Sequence, residues 1–471
     1  MDSIIAKLKE FLSSEENELV SIAAAALSNF SDDSTNDVAF EMTDDLMKKM
    51  ISIVADNNST QIAKKESLNA LWTASVKNEK CSFSSFFSYI PITLSYGKIK
   101  ACKMREMGMV PVLLNLAKAD IFFVEAVAGI LRNMCDADVE SRRQYLQYGG
   151  VEEMYLMLFS EVLTDEEKSL ICGSLWNACQ LAEASTSLVE LGFCRVATNM
   201  LSSKSVIFLE KLLGLIWNLT TEKENREKLV GEGVFEKIIT FLDHPNDKVV
   251  RNALGNMRNF CCDTNNCLVA LKKGMVDILL DRCLNNYSRA VRERSVAVVW
   301  NLSVVQEVRE YISEKKMDSV WVLFEFLEHK DPELVMSASR ALFLLCFKYE
   351  IWEATKKKGL MENLFDALSN KKTIKWLKTV DWGCGRYPED ADEWVQMTLR
   401  NVRWTQDLHP IFSDNVKQSV LYLLMMKNRR KSITLFSSVP SAIFQYIIKF
   451  FGVNEISKST KEVEENLDFF K

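Results

Sequence analysis

The sequence predicts an all-α protein assembled from a repeated unit of helices. The first indication is how rarely the chain can turn. Its 16 glycines and 7 prolines make up about 5% of 471 residues, where an average protein has roughly 12%. Tight turns depend on these residues, since glycine permits positive φ and proline presets φ. With 48% apolar residues for a core, long helices fit better than a β-sandwich, a barrel or a disordered chain.

The second indication is a glycine that recurs just before each new apolar stretch. The copies keep a period of roughly 42 residues, which lies in the range of helical repeats. The last copy follows two periods after its predecessor, with no glycine at the midpoint near Lys316. Glycine just past a helix supplies the left-handed conformation that ends it. The copies are Gly108, Gly150 (preceded by Gly149), Gly192, Gly233, Gly274 and Gly359.

The third indication is an asparagine that closes a run of small or apolar residues in each repeat, well after the glycine. From Asn133 onward it keeps the same period as the glycine. Two markers that keep one period over several copies define a repeat. Copies end at Asn29, Asn133, Asn177, Asn218, Asn259, Asn301 and Asn401, with degenerate copies at Thr73 and Leu344.

Each unit is predicted to contain three helices. The glycine ends a short first helix, and in one copy the second runs from Val234 to Leu242. A turn around Pro245 breaks it, and the third helix runs from about Lys248 to Asn259. Such units stack into a solenoid because a single unit cannot bury its apolar face alone.

This combined register resembles the armadillo (ARM) repeat family over residues 4 to 404. The resemblance implies a right-handed armadillo-repeat superhelix, an α-solenoid, of about nine three-helix units. In that family the third helices line a concave groove, and the repeated asparagine holds the backbone of an extended peptide. The endings Trp-Asn and Arg-Asn resemble units of the β-catenin and adenomatous polyposis coli type. Importin-α-like units usually carry Trp four residues before the asparagine, where this chain has Gly129, Gly173, Gly214, Gly255 and Ala297.

Two intervals between markers are longer than one period, which predicts insertions near 81–97 and 370–390. The first is rich in serine and aromatic residues. It fits either a surface insertion over an apolar ridge or a docking loop open to phosphorylation. The second contains Gly383-Cys384-Gly385 but lacks the Lys-Ser/Thr of a phosphate-binding loop, so we expect an ordinary loop.

The repeat pattern stops after about residue 404, which divides the chain into a solenoid (1–404), a helical C-terminal module (405–452) and a flexible tail (453–471). The module reads as an amphipathic helix, a basic cluster and a second helix opened by Pro440. It loosely resembles the F-box or SOCS-box-like segments of some repeat proteins. Its alternative role is to cap the solenoid.

The candidate binding residues surround the repeated asparagine on the third helices. We expect the asparagines to bind peptide backbone, and the small residues four positions earlier to leave a shallow groove. Arginine and tryptophan would add charge and flat apolar area, which suits an extended, partly acidic peptide. In the alternative, these side chains pack between repeats and the asparagines cap backbone groups there. The candidates are Asn133, Asn177, Asn218, Asn259, Asn301, Arg132, Arg258, Lys211, Arg294, Trp176, Trp217 and Trp300.

Nothing in the sequence predicts an enzyme. It has only three histidines, and two of them, His244 and His329, occupy the same turn of different repeats. There is no Cys-x-x-Cys pair and no Gly-x-Ser-x-Gly, Walker or kinase motif, so we predict no catalytic residue, metal or cofactor. The 12 cysteines are scattered, often within apolar runs, and are expected to be reduced, buried thiols of a cytoplasmic or nuclear protein.

Charge and hydropathy limit the partners. A net charge of −6 gives no basis for non-specific nucleic-acid binding. No uninterrupted apolar run is long enough for a membrane-spanning helix, so no membrane insertion is expected. The leading prediction is a non-catalytic protein-binding scaffold. The alternatives are a substrate-recognition subunit of a ubiquitin ligase, whose core would bind 405–452, and a nuclear transport adaptor.

Overall fold

The computed structural model describes residues 2–14, 16–32, 42–75, 90–284, 288–369 and 371–379, and all regular secondary structure in them is helical. The chain divides into two compact units, an amino-terminal unit (1–260) and a carboxy-terminal unit (261–471). The predicted fold class is confirmed, because the described helices form an all-α armadillo-repeat solenoid. The C-terminal module 405–452 and the tail 453–471 lie outside the described residues.

The amino-terminal unit begins with two helix pairs and continues with three-helix repeats. Residues 121–123 and 240–243 are short 3₁₀ segments. The helices are α1 Asp2–Phe11, α2 Asn17–Asp32, α3 Asp44–Ala55, α4 Gln61–Ser75, α5 Ile90–Glu106, α6 Met109–Ala119, α7 Val124–Ala137, α8 Val139–Gln147, α9 Gly150–Met157, α10 Asp165–Ala178, α11 Ala182–Glu190, α12 Phe193–Met200, α13 Val206–Leu219, α14 Lys223–Gly231, α15 Val234–Ile239 and α16 Asp247–Phe260.

The carboxy-terminal unit continues the same order of short, short and long helices. A π-helical segment, Ile278–Cys283, follows the three-residue α18, and a 3₁₀ segment, Phe326–Glu328, follows α21. The helices are α17 Thr264–Lys272, α18 Met275–Asp277, α19 Arg289–Ser303, α20 Gln306–Lys315, α21 Met317–Glu325, α22 Pro332–Leu345, α23 Tyr349–Lys357, α24 Met361–Leu368 and α25 Lys371–Thr379.

The third helices form the core of the amino-terminal unit by packing on one another in sequence, α4 on α7, α7 on α10, α10 on α13 and α13 on α16. These helices are apolar over most of their circumference, as a helix between two neighbours must be. In α13, for example, Leu212, Leu213 and Ile216 are fully buried. A polar strip near the carboxyl end of each third helix stays partly exposed, and this strip contains the repeated asparagine.

The predicted glycine register is confirmed, with one correction. Gly108 and Gly233 have φ of 78° and 75° and precede the second helix of their repeats. In the Gly149-Gly150 pair, however, Gly149 is the residue with positive φ (75°), and Gly150 begins α9. Lys316, where the glycine is missing, reaches the same junction at φ −133°, and its ammonium binds the carboxylates of Asp277 and Asp281. The other positive-φ positions are Gly192, Gly274 and Gly359.

Both predicted insertions are partly helical. Residues 90–97 open α5, whereas 81–89 lie outside the described residues. The loop expected over 370–390 is helical from Lys371 to Thr379, because those residues are the third helix of the last described repeat. The interval from Leu344 to Asn401 is longer than one period, but the extra residues do not begin at residue 370, where the marker spacing placed them.

In several repeats an arginine of the next first helix bonds to the carboxyl end of the third helix. The guanidinium of Arg226 donates to the carbonyls of Thr220 and Thr221, both at 2.8 Å. Arg309 likewise donates to the Ser303 carbonyl at 2.9 Å. The carbonyls at a helix end lack intrahelical partners, so these arginines satisfy them while fixing the angle between helices. From the Asn133 copy onward, the residue two positions after the marker is small and buried, as Cys135, Cys179, Thr220, Cys261, Ser303 and Cys346.

Candidate functional site

The predicted binding residues of the amino-terminal unit occur together on one face. We call this surface the ladder face and define it by Trp72, Arg132, Asn133, Trp176, Asn177, Trp217, Asn218, Arg258 and Asn259. Arg258 is exposed and the other eight are half-buried. Asn301, Trp300 and Arg294 occupy the same helical positions on α19 of the carboxy-terminal unit.

Each ladder asparagine reaches back to the preceding repeat. The side-chain nitrogen of Asn177 donates to the Arg132 carbonyl at 2.9 Å, and that of Asn218 donates to the Trp176 carbonyl at 2.7 Å. Asn259 donates to the Trp217 carbonyl at 3.4 Å. Trp176 and Trp217 lie in the last turn of their helices, where carbonyls need outside donors. These asparagines therefore cap backbone groups between repeats, which was the alternative left open by the sequence.

Asn133 and Asn301 bond to side chains of the preceding repeat. Asn133 donates to the Ser75 hydroxyl at 2.9 Å. In the carboxy-terminal unit, Asn301 donates to the Cys262 sulfur at 3.7 Å. Asn259 combines both patterns, because it also donates to the Thr220 hydroxyl at 3.0 Å. A small residue two or three positions after the preceding marker therefore supplies an acceptor for the amide at Asn133, Asn259 and Asn301.

The glycines four positions before the asparagine are occupied, which corrects the expectation of a shallow groove. A Cβ at Gly214 would lie 2.8 Å from three ring atoms of Trp176, and one at Gly255 would lie 2.7 Å from Cδ2 of Trp217. The Trp72 ring covers Gly129 in the same way, and the Arg132 stem covers Gly173. Trp72, Arg132, Trp176 and Trp217, each standing just before the marker position of its repeat, thus pack into the gap left by the next repeat's glycine.

The charged candidates differ in how their charge is balanced. Lys211 pairs with Glu210 at 3.1 Å and lies 5.7 Å from the centre of the Trp176 ring. Arg132 donates to the side-chain oxygen of Asn133 at 3.3 Å, and burial lowers the pKa of its guanidinium. Arg258 is exposed on α16, whereas Arg294 is half-buried on α19. Of the cations that define the ladder face, Arg258 is therefore the one most open to solvent.

Two buried asparagines that the sequence reasoning missed strengthen the contact between α13 and α16. Asn252 donates to the Glu210 carbonyl at 2.7 Å, and Asn256 donates to the Leu213 carbonyl at 2.9 Å. Both are almost completely buried, at 1% and 0% exposure. They stand seven and three positions before Asn259, and no other copy carries this pair, so the repeat pattern gave no signal for them.

The carboxy-terminal unit contains one position where the repeat departs from small residues. Arg340 stands four positions before Leu344, where the copies from Asn133 to Asn301 carry glycine or alanine. Its guanidinium carbon lies 5.0 Å from the centre of the Trp300 ring and 4.9 Å from that of Trp376. Comparison of this position along the repeats could have identified Arg340, but Trp376 lies in a stretch expected to be a loop.

His244 and His329 are turn residues, as predicted, and His409 lies outside the described residues. The ring nitrogen Nδ1 of His244 accepts the backbone N–H of Asn246 at 3.1 Å. His329 accepts the N–H of Asp331 in the same way at 3.0 Å. In the part of the chain that the structure describes, no cluster of three or more histidine, cysteine or acidic side chains could hold a metal ion.

The cysteines with described side chains are free thiols. Seven are buried, Cys102 is half-buried and Cys262 is exposed. Burial raises the pKa of the Cys179 thiol to about 12, partly offset by its hydrogen bond with Ser185. Burial also raises the pKa of Cys346 to about 12. These thiols stay protonated at neutral pH and act as small apolar residues in the core.

Known proteins support the fold. No family model matches the chain. The Rap1 GTPase-GDP dissociation stimulator 1-A of Xenopus laevis is 24% identical over 218 residues, covering 44% of this chain and 36% of that protein. The match thus spans about a third of that relative. An engineered protein of known crystal structure has a TM-score of 0.65 at 18% identity, covering 94% of this chain and 97% of its own.

A designed armadillo repeat protein matches 50% of this chain and 99% of its own length, with a TM-score of 0.46 and 18% identity. Among the helices that the structure describes, none is both long and apolar enough to span a bilayer.

Proposed function

We propose that the protein is a non-catalytic scaffold that binds an extended segment of a partner protein along the ladder face. The observation that supports this is the state of the asparagine carboxamides. Asn177 and Asn218 each use one N–H on the preceding repeat, and in the described residues their side-chain oxygens have no hydrogen-bond partner. A carboxamide has two donors and one acceptor oxygen. The remaining N–H and oxygen match the alternating carbonyl and N–H groups of an extended backbone.

The capping bonds make this arrangement rigid, which favours binding. An ordered carboxamide loses little further entropy when a ligand arrives, so more of each hydrogen bond contributes to affinity. The half-buried rings of Trp176 and Trp217 are held against Gly214 and Gly255, and their exposed edges add apolar contact. Each repeat contributes one modest contact, and the rigid stack fixes the spacing between contacts.

The experiment compares two pairs of asparagines that make equivalent bonds between repeats. Asn218→Ala with Asn259→Ala removes two half-buried ladder carboxamides. Asn252→Ala with Asn256→Ala removes two bonds of the same kind from positions that are at most 1% exposed. Each lost bond costs stability of about 1 kcal/mol, more where a buried group is left unsatisfied. Both variants are destabilised, but only the first removes groups that a ligand can reach.

Affinity purification of the full chain with mass spectrometry reads the result, with circular dichroism confirming that both variants stay helical at the working temperature. We expect the Asn218→Ala/Asn259→Ala variant (the ladder variant) to lose partner proteins that the wild type and the Asn252→Ala/Asn256→Ala variant retain. Equal retention by both variants would refute binding by the ladder carboxamides. Equal loss would assign the effect to stability alone.

A second candidate function follows from the curated relative. Because the matched protein is called a stimulator of GDP dissociation from the Rap1 GTPase, a small GTPase is a specific partner to test. Purified chain is mixed with Rap1 carrying a fluorescent GDP analogue, and release is followed with excess unlabelled GDP. Accelerated release would support this function. A release rate that does not change with a large excess of the chain over Rap1 would show that the chain does not stimulate GDP dissociation from Rap1.

The ubiquitin-ligase and nuclear-transport roles remain alternatives from the sequence. The first depends on 405–452, outside the described residues, and is tested by comparing the partners of the full chain with those of a chain ending at Trp404. Loss of ligase components together with the tail would support it. Binding of lysine-rich peptides would support transport, whereas preference for neutral or acidic peptides would oppose it.

A further inference from the structure

We infer that Arg340, Trp300 and Trp376 form a subsite of the carboxy-terminal unit that binds a carboxylate side chain of a partner protein. The inference rests on the proposed scaffold function and adds the chemistry of one partner side chain. The partly acidic ligand expected from the sequence would then be recognised in the carboxy-terminal unit at this position.

The first step is the burial of an arginine charge. Arg340 is 7% exposed, and burial lowers the pKa of its guanidinium to about 10, although the charge of Glu333 acts in the opposite direction. Removing a guanidinium from water is costly unless a counter-charge and hydrogen bonds replace the water. A buried arginine of this kind therefore needs compensation.

The second step is that the surroundings compensate it only in part. One terminal nitrogen of Arg340 donates to the Lys372 carbonyl at 3.0 Å, while its Nε has no hydrogen-bond partner. In the described residues no carboxylate forms an ion pair with Arg340. Glu333, the acid whose charge acts on Arg340, pairs instead with the Lys372 ammonium. The guanidinium thus keeps a buried Nε–H without a hydrogen-bond partner, and among the described residues its charge is offset only by Glu333, with which it forms no ion pair.

The third step is the pair of indole rings. Trp300 and Trp376 lie 6.4 Å apart, centre to centre, at an interplanar angle of 87°, and the guanidinium carbon is 5.0 Å and 4.9 Å from their ring centres. Cation–π contacts stabilise a cation without neutralising it, and they hold the guanidinium plane in place. Both rings are half-buried, so part of each ring stays open to solvent beside the arginine.

These features select a carboxylate as the ligand. A planar carboxylate accepts two parallel bonds from a guanidinium fork, and the rings hold the fork in a fixed orientation. An aspartate or glutamate side chain supplies this group within an extended segment. No other copy of the repeat has this chemistry, because none carries arginine at the equivalent position.

The test uses the full chain with ¹⁵N-labelled arginine and tryptophan, titrated with two tripeptides. The probes are Ac-Ala-Glu-Ala-NH₂ and Ac-Ala-Gln-Ala-NH₂, which differ in one charge. We expect the glutamate peptide to shift the Arg340 Nε–H and the indole N–H signals of Trp300 and Trp376 in a saturable way. We expect the glutamine peptide to bind at least about tenfold more weakly, since a charge-assisted bond is lost.

Two variants complete the test. Arg340→Met should abolish the response and identifies the Arg340 signal. Arg292→Met is the matched control, because Arg292 also lies over a ring, 5.4 Å from the centre of Phe326, but already pairs with Glu325 at 2.8 Å. It should leave the response unchanged. The two tripeptides can be compared on the wild-type chain, so the test does not depend on Arg340→Met folding.

Three results would overturn the inference. These are equal shifts from both tripeptides, no shift at Arg340 with about 20 mM glutamate peptide, and an equal response to inorganic phosphate, which would reject a specific carboxylate site. Such a failure is separate from the asparagine comparison, which reads partner capture by α13 and α16. If the ladder variant still loses its partner while the Arg340 signal does not respond to the glutamate peptide, only the carboxylate subsite is refuted.

Discussion

Replacing Gly214 by alanine should destabilise the amino-terminal unit even though alanine is the better helix former. The added Cβ would lie 2.8 Å from Cδ2, Cε2 and Cε3 of Trp176, well inside normal contact. The indole is a rigid ring and cannot bend away as a flexible chain end would, and Asn218 holds the backbone carbonyl of the same residue in place. Either the ring or the contact between α10 and α13 must shift.

The expected magnitude is the difference between two opposing effects. Overpacking a core typically costs about 1–3 kcal/mol, whereas glycine to alanine inside a helix gains about 1 kcal/mol at most. With the full helix gain, a net loss of up to about 2 kcal/mol follows. For a domain of this size that corresponds to a fall in Tm of up to about 6 °C. Gly231→Ala is the matched control, because Gly231 ends α14 with no atom within 4 Å of an added Cβ.

The assay is thermal unfolding followed by far-ultraviolet circular dichroism, on the wild type and four variants: Gly214→Ala, Gly231→Ala, Trp176→Ala and the Trp176→Ala/Gly214→Ala pair. Gly231→Ala should leave Tm unchanged or raise it slightly. In the Trp176→Ala background the space is open, so Gly214→Ala should become neutral or stabilising. If Gly214→Ala lowers Tm equally in the wild-type and Trp176→Ala backgrounds, the Trp176 ring does not pack against Gly214 as described.

Three further predictions concern stability and thiol chemistry. Stability should fall above pH 9, because unfolding frees the Cys179 thiol to ionise near its ordinary pKa of 9.0 while burial holds the folded value at about 12. At pH 10 this costs about 1.4 kcal/mol. Cys179→Ala should make the fall in Tm between about pH 8 and 10 less steep, and the remaining fall comes from other buried thiols such as Cys346. Iodoacetamide at pH 8 should label the exposed Cys262 long before Cys179, and peptide mapping that shows equal rates would contradict the burial. Gly233→Ala should lower Tm by several degrees, since alanine at φ 75° costs about 1–2 kcal/mol; an unchanged Tm would show that the helix junction can relax.

The fold could be predicted from the sequence because two markers with different physical roles share one period. Glycine marks the left-handed junction, confirmed at Gly108 and Gly233, and asparagine marks the carboxyl end of the third helix. A local requirement repeated at a fixed interval leaves a readable signal. The pattern could not assign positive φ within Gly149-Gly150, since either residue satisfies the requirement for a glycine there.

The candidate face was predictable in its position but not in its contacts. The sequence places Trp176 beside Asn177, yet whether the ring meets a ligand or the next repeat depends on contacts one repeat further along the chain. The structure shows that Gly214 receives the ring. Arg340 was missed for the opposite reason, because its significance comes from departing from the repeat and from Trp376, which lay in an expected loop. Repeats make shared features visible and hide those of a single copy.

The central claim, that the partner segment lies on the ladder face, is tested most directly by photo-crosslinking in cells. A photoreactive residue replaces Arg258, which is exposed beside Asn259, or Glu227, which is exposed on the first helix α14 of the same repeat. We predict that the partner retained by the Asn252→Ala/Asn256→Ala variant crosslinks from position 258 and not from position 227. The same partner crosslinking from position 227 alone, or equally from both positions, would contradict binding along the ladder face.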